Sequence, residues 1–314
     1  MTQPSFVIRG GAHPHVRDVP GAWGAYTLGY EVLKANDIFS AMLKTRPYEI
    51  CEFSLANFLT LRAHGDDGLQ ALPIFPQRAF RHGTLTVRRD SELLDPAQLA
   101  GARIGVEDYS MSAAVWVRGL LWDEHGVDHA DITWVTPHDQ RFAPPTGVKL
   151  EHDDRSLEAL LAEGAVDAIV GMHLKDSELA ASQRQFRSLL PDPPATEATY
   201  FQRTGIFPIN HCVVIRTDVL RAHPDLGDVV ANAYRQAKTN AYRQQSDPRR
   251  APWAECAPHR AFEAADGDPL AYGLTASNRR VVETLGGYLE RQGFIRRLPP
   301  LDGLFLSPST SEAL

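Results

Sequence analysis

The chain has 314 residues, 43% hydrophobic and 23% charged, with a formal net charge of −7 at pH 7. That length suits about two domains of roughly 100–200 residues, each able to bury a core. The acidic balance, without any cluster of Lys and Arg, argues against nucleic acid or an anionic membrane as the main partner, because phosphate contacts need a basic footprint. No run of 18 apolar residues suggests a membrane span. The first residues, Met1 to Ser5, lack a basic stretch followed by an apolar one, so a cytoplasmic location is expected. Cys51, Cys212 and Cys256 are far apart and odd in number, which predicts reduced thiols in or near the core. Of the 32 basic residues, 27 are Arg. Base composition explains most of that excess, but bidentate clamping of carboxylates is a second reading for a few.

In chain order, Phe6–Arg9 reads as a short strand followed by a Gly/His/Pro loop to Pro20. Residues 35–43 have helical spacing. Tyr48–Glu52 is a strand feeding straight into a helix at 54–59, with Ser54 near its start. Leu72–Phe75 is the next strand, and Thr84–Arg88 alternates as a half-exposed strand should. Beyond residue 90 come a short helix at 96–101, a strand at 103–106 and an amphipathic helix from Ser110 to His125. A strand at 132–135, a capped helix at 156–163 and a strand at 166–170 follow. The chain then passes Pro191–Pro194 and reaches a strand at 211–216, with helices at 224–242 and 277–292 after it.

This alternation predicts an α/β protein with parallel sheets and covering helices. We read two lobes: residues 1–89 with 206–314, and an insertion at 90–205. The crossings fall near 84–90 and 203–216, with a ligand cleft between the lobes.

Four loops carry chemistry. Pro76–His82 holds Arg78 and Arg81 to fork onto a carboxylate, Phe80 to stack on a ring, and His82. The bland alternative is a solvated turn with one of the arginines in a structural ion pair. Asp108–Ala113 opens a helix, where Ser110, Ser112 and free N–H groups make an anion seat or simply a cap. Glu52–Ser54 repeats the pattern, with Ser54 as cap or ligand contact and Glu52 as ion-pair partner or proton carrier. Arg203–His211 has polar ends, Arg203 and Thr204 against His211, around an apolar middle containing Phe207. His211 reads as an acid/base group or as a hinge histidine. His13 and His15 follow the first strand, and with His82, His211 and Glu52 they are candidates to converge on a divalent metal. A His-x-His spacing alone is weak evidence for one.

Three stretches, Pro73–His82, Tyr109–Gly119 and Arg203–His211, resemble the 4,5-dihydroxyphthalate decarboxylase family. Tyr272-Gly273-Leu274 with Asn278-Arg279 fits as well, and the resemblance covers roughly residues 48–295. It implies a two-lobed type II periplasmic-binding-protein-like fold with a central inter-lobe cleft. It also implies an intracellular carboxy-lyase of aromatic catabolism and phthalate degradation, working without a cofactor, and it suggests a homo-oligomer. The first loop departs from the family, reading Gly10-Gly11-Ala12-His13-Pro14-His15-Val16-Arg17-Asp18 where Asp, Tyr and Arg are expected. That departure bears on the substrate more than on the fold.

For a hydroxylated aromatic carboxylate, protonation of the carbon bearing the carboxylate lets carbon dioxide leave with no electron sink. We expect His211 or His82 as proton donor, since imidazole transfers protons near neutrality. Glu52 is expected to help at the hydroxyl. Arg78, Arg81, Ser110, Ser112 and Arg118 are expected anchors, and Phe80, Trp116 or Phe207 a dry wall. Arg118, two turns into its helix, alternatively pairs within its own lobe. The rival readings are a solute-binding protein on the same fold and another lyase, such as a chorismate dehydratase-like enzyme.

Overall fold

The structure, a computed structural model, describes residues 3–172, 174–243, 268 and 270–306. Cys256 lies outside the described residues, while Cys51 and Cys212 are buried free thiols. The short apolar runs form two six-stranded sheets. The first holds β1 (Ser5–Gly10), β2 (Gly21–Trp23), β3 (Tyr26–Val32), β4 (Ile50–Ser54), β5 (Leu69–Leu72) and, from late in the chain, β12 (His211–Arg216), in the order β2-β3-β1-β4-β12-β5. The second holds β6 (Leu85–Arg88), β7 (Arg103–Gly105), β8 (Thr133–Thr136), β9 (Lys149–His152), β10 (Ala168–Val170) and β11 (Phe186–Ser188), in the order β11-β6-β10-β7-β8-β9.

β1 runs parallel to β3 and β4, and β7 runs parallel to β8 and β10. Parallel neighbours need crossover connections, and helices supply several of them. α1 (Ala35–Lys44) and α2 (Leu55–Ala63) serve the first sheet, and α3 (Ser112–His125) and α4 (Leu157–Ala162) the second. The strands expected to make the crossings behave alike. β12 is antiparallel to β4 and β5, and β6 is antiparallel to β10. β6 therefore belongs with the second sheet, and the chain has changed sheets before residue 85.

Several expectations are corrected. The strand placed at 72–75 lies at Leu69–Leu72, because Pro73 has no N–H to extend the ladder. The helix expected from Ser110 starts at Ser112, with Met111 as a capping residue that makes no side-chain bond. Nor is it amphipathic in its first ten residues: all from Ser112 to Leu121 are buried. The region around Pro191–Pro194 reads as a break, yet α5 (Pro193–Thr204) begins there. Proline is tolerated in a first turn, where its missing N–H would have no partner anyway, and Asp192 accepts the Ala195 N–H as cap. Gly205 ends α5 in the left-handed region at φ 66°. β2, β3, β9 and β11 were not foreseen. β2, β9 and β11 are short, with three or four residues each, while β3 has seven and buries Tyr26 and Leu28.

α6 (Thr217–Ala222) and α7 (Leu226–Arg243) follow β12, and α8 (Ala276–Arg291) closes the described chain. α7 covers one face of the first sheet over Phe6, Ile8, Ile50 and Val213. α4 covers one face of the second over Val135, Ile169 and Phe186. The largest core joins the two: it runs from Phe53 and Phe58 through Phe80 and Phe207 to Trp116, Trp134 and Tyr288. Arg78 ties the crossing to the tail, its Nη2 donating to the Asn278 Oδ1 (2.7 Å) and the Ala271 carbonyl (2.8 Å). The family-like loop and the family-like tail are thus one contact.

Candidate functional site

Where the sheets meet there is a cavity of about 370 Å³, a size at the lower end of small-ligand sites, roughly 300–1,000 Å³. Its walls come from both sheets: Glu52 and Ser54 of β4, His211 of β12, Ser112 of α3, Arg81 and, from the first loop, His13.

Strand register builds the acid/base end. Val213 lies opposite Glu52 and His211 opposite Ser54 in the antiparallel pair β12–β4. Residues two apart on a strand share a face, so the His211 ring meets Glu52 diagonally across the pair. The His211 Nδ1 to Glu52 Oε1 distance is 2.5 Å. β1 ends beside β4 and runs into Gly10 and Gly11. A Cβ at Gly11 would stand 2.7 Å from the His13 Nε2, and one at Gly10 would stand 2.2 Å from the Tyr30 hydroxyl. The two glycines leave room for His13 Nε2 to sit 3.0 and 3.1 Å from the two Glu52 oxygens. The Gly11 N–H donates to Oε2 at 2.8 Å. The first-loop departure from the family pattern thus supplies a second imidazole to the same carboxylate.

Glu52 is 1% exposed. Burial pushes its carboxyl up, but the charge and hydrogen bonds of His13 and His211 outweigh burial and hold it well below the usual carboxylate range. An anionic Glu52 must accept, so each histidine donates to it. For His211 that fixes the proton on Nδ1 and leaves Nε2 for a ligand. Glu52 was expected at a substrate hydroxyl. Its oxygens are instead occupied by three donors, Gly11, His13 and His211. Edge-on to His211, at 4.9 Å between ring centres, Phe39 of α1 forms an apolar wall.

Arg81 lines the floor, its Nε donating to the Asn210 Oδ1 (3.1 Å) and its Nη1 3.2 Å from the Met172 sulfur. Ser54 and Ser112 also line the cavity, but their hydroxyls are spent on the fold. Ser112 Oγ donates to the Asn210 carbonyl (2.8 Å) and accepts the Ala56 N–H (3.0 Å), and the two hydroxyls are 3.0 Å apart. Ser54 accepts the Asn57 N–H and caps α2. They tie the sheets together rather than forming an anion seat.

The remaining candidates lie away from the cavity lining. His82 is buried beside Tyr200, with ring centres 4.9 Å apart, and 3.5 Å from Glu124; burial, then the Arg203 charge, lower it to about 4. His15 is wholly buried behind His13, and burial lowers it to about 3. With His82 in another compartment, the proposed four-histidine metal cluster does not assemble. Among the described residues no three His, Cys, Asp or Glu side chains are arranged to hold a metal ion. Arg118 is buried with no carboxylate: it stacks at 3.7 Å on the Tyr109 ring and donates to Gln292 and the Tyr109 carbonyl. Ser110 bonds Asp108. Phe80 and Phe207 pack on each other in the core, 4.8 Å between centres, and the Trp116 indole N–H donates to the Ile209 carbonyl. Arg203 pairs with Glu124 on the surface, and Thr204 bonds back to the Tyr200 carbonyl. Both sit in the last turn of α5, which moved them off the loop they were read on.

Sequence reasoning missed Arg141, Phe39, Gln77, Met172 and Asn210 in the lining. Arg141 follows β8, and loops at the C-terminal ends of parallel strands are where α/β clefts form, so that signal was available.

The paired antiparallel crossings and a cavity between two mixed sheets define a protein of the periplasmic-binding-protein-like class. The aliphatic sulphonate binding protein SsuA of Escherichia coli has a TM-score of 0.61 at 12% identity, over 100% of this chain and 95% of that one. The desulfurization enzyme DSZB has a TM-score of 0.53 at 16% identity, over 98% and 97%. No family model matches the chain. A 4,5-dihydroxyphthalate decarboxylase of Comamonas testosteroni is 32% identical over 282 residues, 85% of each chain. One of Pseudomonas putida is 35% identical over 146 residues, 43% of this chain and 57% of that protein. The chain belongs to the 4,5-dihydroxyphthalate decarboxylase family and is a carboxy-lyase. Among the described residues no helix is long and apolar enough to cross a membrane.

Proposed function

We propose that the chain decarboxylates a hydroxylated aromatic dicarboxylate such as 4,5-dihydroxyphthalate, giving protocatechuate, with His211 as the proton donor. The observation that carries this reading is the His211–Glu52 pair at the cavity wall, with Nδ1 held at 2.5 Å by a buried carboxylate. Each carboxylate of this substrate has a ring hydroxyl para to it. That hydroxyl loses its proton and its oxygen pushes an electron pair into the ring. The ipso carbon takes the proton from His211 Nε2, giving a cyclohexadienone. The bond to the carboxylate then breaks, its pair restores the aromatic ring, carbon dioxide leaves, and the phenolate regains a proton. One proton is consumed for each carbon dioxide released, and His211 is recharged from solvent. The ring itself holds the electrons, so the step calls for no electron-sink cofactor. Glu52 is a positioning residue that fixes the tautomer and angle of His211, and Phe39 and Met172 keep the departing carboxylate in apolar surroundings.

The test is incubation of the purified protein with 4,5-dihydroxyphthalate, following carbon dioxide and protocatechuate. In heavy water one deuterium is expected at the carbon that lost its carboxylate. His211→Ala lowers kcat by roughly 10²–10⁴ while protocatechuate still binds. Glu52→Gln lowers kcat and moves its pH profile. A chelator leaves the rate unchanged. No turnover across a panel of hydroxylated aromatic acids, with binding retained, moves the chain to the solute-binding reading. A rate abolished by chelator and restored by one metal overturns the metal-free step.

A further inference from the structure

Building on that reaction, we propose that Arg141, with the start of α1, is the seat of the carboxylate the substrate keeps, and that it selects dicarboxylates over hydroxylated monocarboxylates.

Arg141 reaches the cavity from the loop after β8, and that loop is pinned at its base. The Arg141 backbone N–H donates to Asp108 Oδ2 (3.0 Å), and the Tyr109 N–H donates to Gln140 Oε1 (2.7 Å). Asp108 is the nearby acid, and its oxygens are filled by that N–H and by the backbone and hydroxyl of Ser110. No salt bridge from it reaches the guanidinium. The side chain crosses to the other sheet, where Nη2 donates to Asn36 Oδ1 at 2.8 Å, a neutral partner. Its Nη1 is shielded from solvent and has no hydrogen-bond partner among the described residues. A partly buried guanidinium that lines the cavity, with one arm on a neutral amide and the other unpaired, has a donor left to turn toward a carboxylate. Burial lowers the Arg141 pKa, and the Asp108 charge offsets this only in part.

The surroundings agree. Lys34, Ala35 and Asn36 line the cavity, and α1 starts there without a side-chain cap, so its positive end adds to the field at Nη1. Arg81 is less suited, because Asn210 and Met172 occupy its floor position. Phe39 joins anchor to acid: the Arg141 Cζ lies 5.5 Å from its ring centre, and the His211 ring meets it at 4.9 Å. A planar ligand along this wall places one carboxylate at Arg141 and presents another part of its ring to His211.

A contact made equally to substrate and product changes binding more than chemistry. Arg141→Met is expected to raise KM for 4,5-dihydroxyphthalate and the inhibition constant of protocatechuate by roughly 10- to 100-fold, the worth of a charge-assisted hydrogen bond. The value of kcat at saturation changes much less, and inhibition by catechol, which has no carboxylate, is unchanged. Arg141→Lys, which keeps the charge but not the fork, falls between, and it serves if the Met variant does not fold. Equal losses for catechol and protocatechuate, or a KM and inhibition constant within about threefold of wild type, overturn the seat. Should the wild type release no carbon dioxide, the decarboxylase reading fails separately, and calorimetric binding of protocatechuate to wild type and variant still decides the seat.

Discussion

At the scale of single residues, burial sorts the histidines by function. His13 and His211 keep a carboxylate partner and a face on the cavity. His82 and His15 lose water, and burial holds them neutral by lowering them to about 4 and about 3. In the unfolded chain both take a proton near pH 6.5. The unfolded state therefore binds more protons than the native one below that pH, and stability falls as pH drops through about 6.5, levelling off near the folded values. Between pH 7.5 and 5 each histidine withdraws about 2 kcal/mol. His82→Phe, which suits a nest of Phe80 and Tyr200, is expected to flatten the fall in urea midpoint by about that amount and to retain turnover. A steep fall unchanged by the variant, or loss of turnover, contradicts the placement of His82 in the structure rather than the site. Composition could not make this distinction, because all four histidines sit in short segments next to polar residues. What separates them is which side of a chain segment faces the cavity.

At the scale of elements, the site depends on register and on close approach. A one-residue slip of β12 against β4 would turn His211 to the opposite face from Glu52. The neighbouring strand content of β4 and β12 was legible, since both are apolar runs ending in polar residues. Their pairing was not, because antiparallel partners some 150 residues apart leave no local pattern. α5 shows a different failure, in which two prolines that start a helix look the same in sequence as two that interrupt one. Its cap, Asp192, was the readable clue. α3 and α8 meet at Gly119, where a Cβ would lie 2.2 Å from the Tyr288 ring. Tyr288 cannot yield freely, because its hydroxyl donates to Asp123 at 2.5 Å. Gly119→Ala is therefore expected to destabilise by about 1–3 kcal/mol despite the better helix propensity of alanine. A thermal melt checks this: a midpoint equal to or above wild type removes the close-packing argument.

At the scale of the whole molecule, the two sheets share one core through α2, α3 and α8, and the crossings lie side by side. The Ala79 N–H donates to the Pro208 carbonyl, and Arg78 and Ile209 form a bridge. Units fused in this way unfold together. Far-ultraviolet circular dichroism and tryptophan fluorescence, which samples Trp116 and Trp134 in the second unit and Trp23 in the first, should report a single coincident transition. Two separated transitions would show that the shared core does not couple the sheets. The same fusion explains why Ser54 and Ser112 are structural: at a junction between sheets, buried hydroxyls satisfy backbone groups that neither sheet can reach alone.

The sequence by itself determined the strand–helix alternation and the family, and it singled out Glu52 and His211 as candidates. Those follow from local periodicity, charge and contiguous motifs, which survive in one dimension. Only the tertiary structure decided which arginines face the cavity, where Arg81 and Arg141 line it. Arg78 and Arg118 are consumed by carbonyls, amides and aromatic rings, whereas Arg141, in a loop with no distinctive motif, is carried to the mouth by a pinned backbone. The physical reason is that a guanidinium's role is set by which acceptors surround it after folding, and those acceptors come from segments that the chain brings together only when its two sheets close on one core.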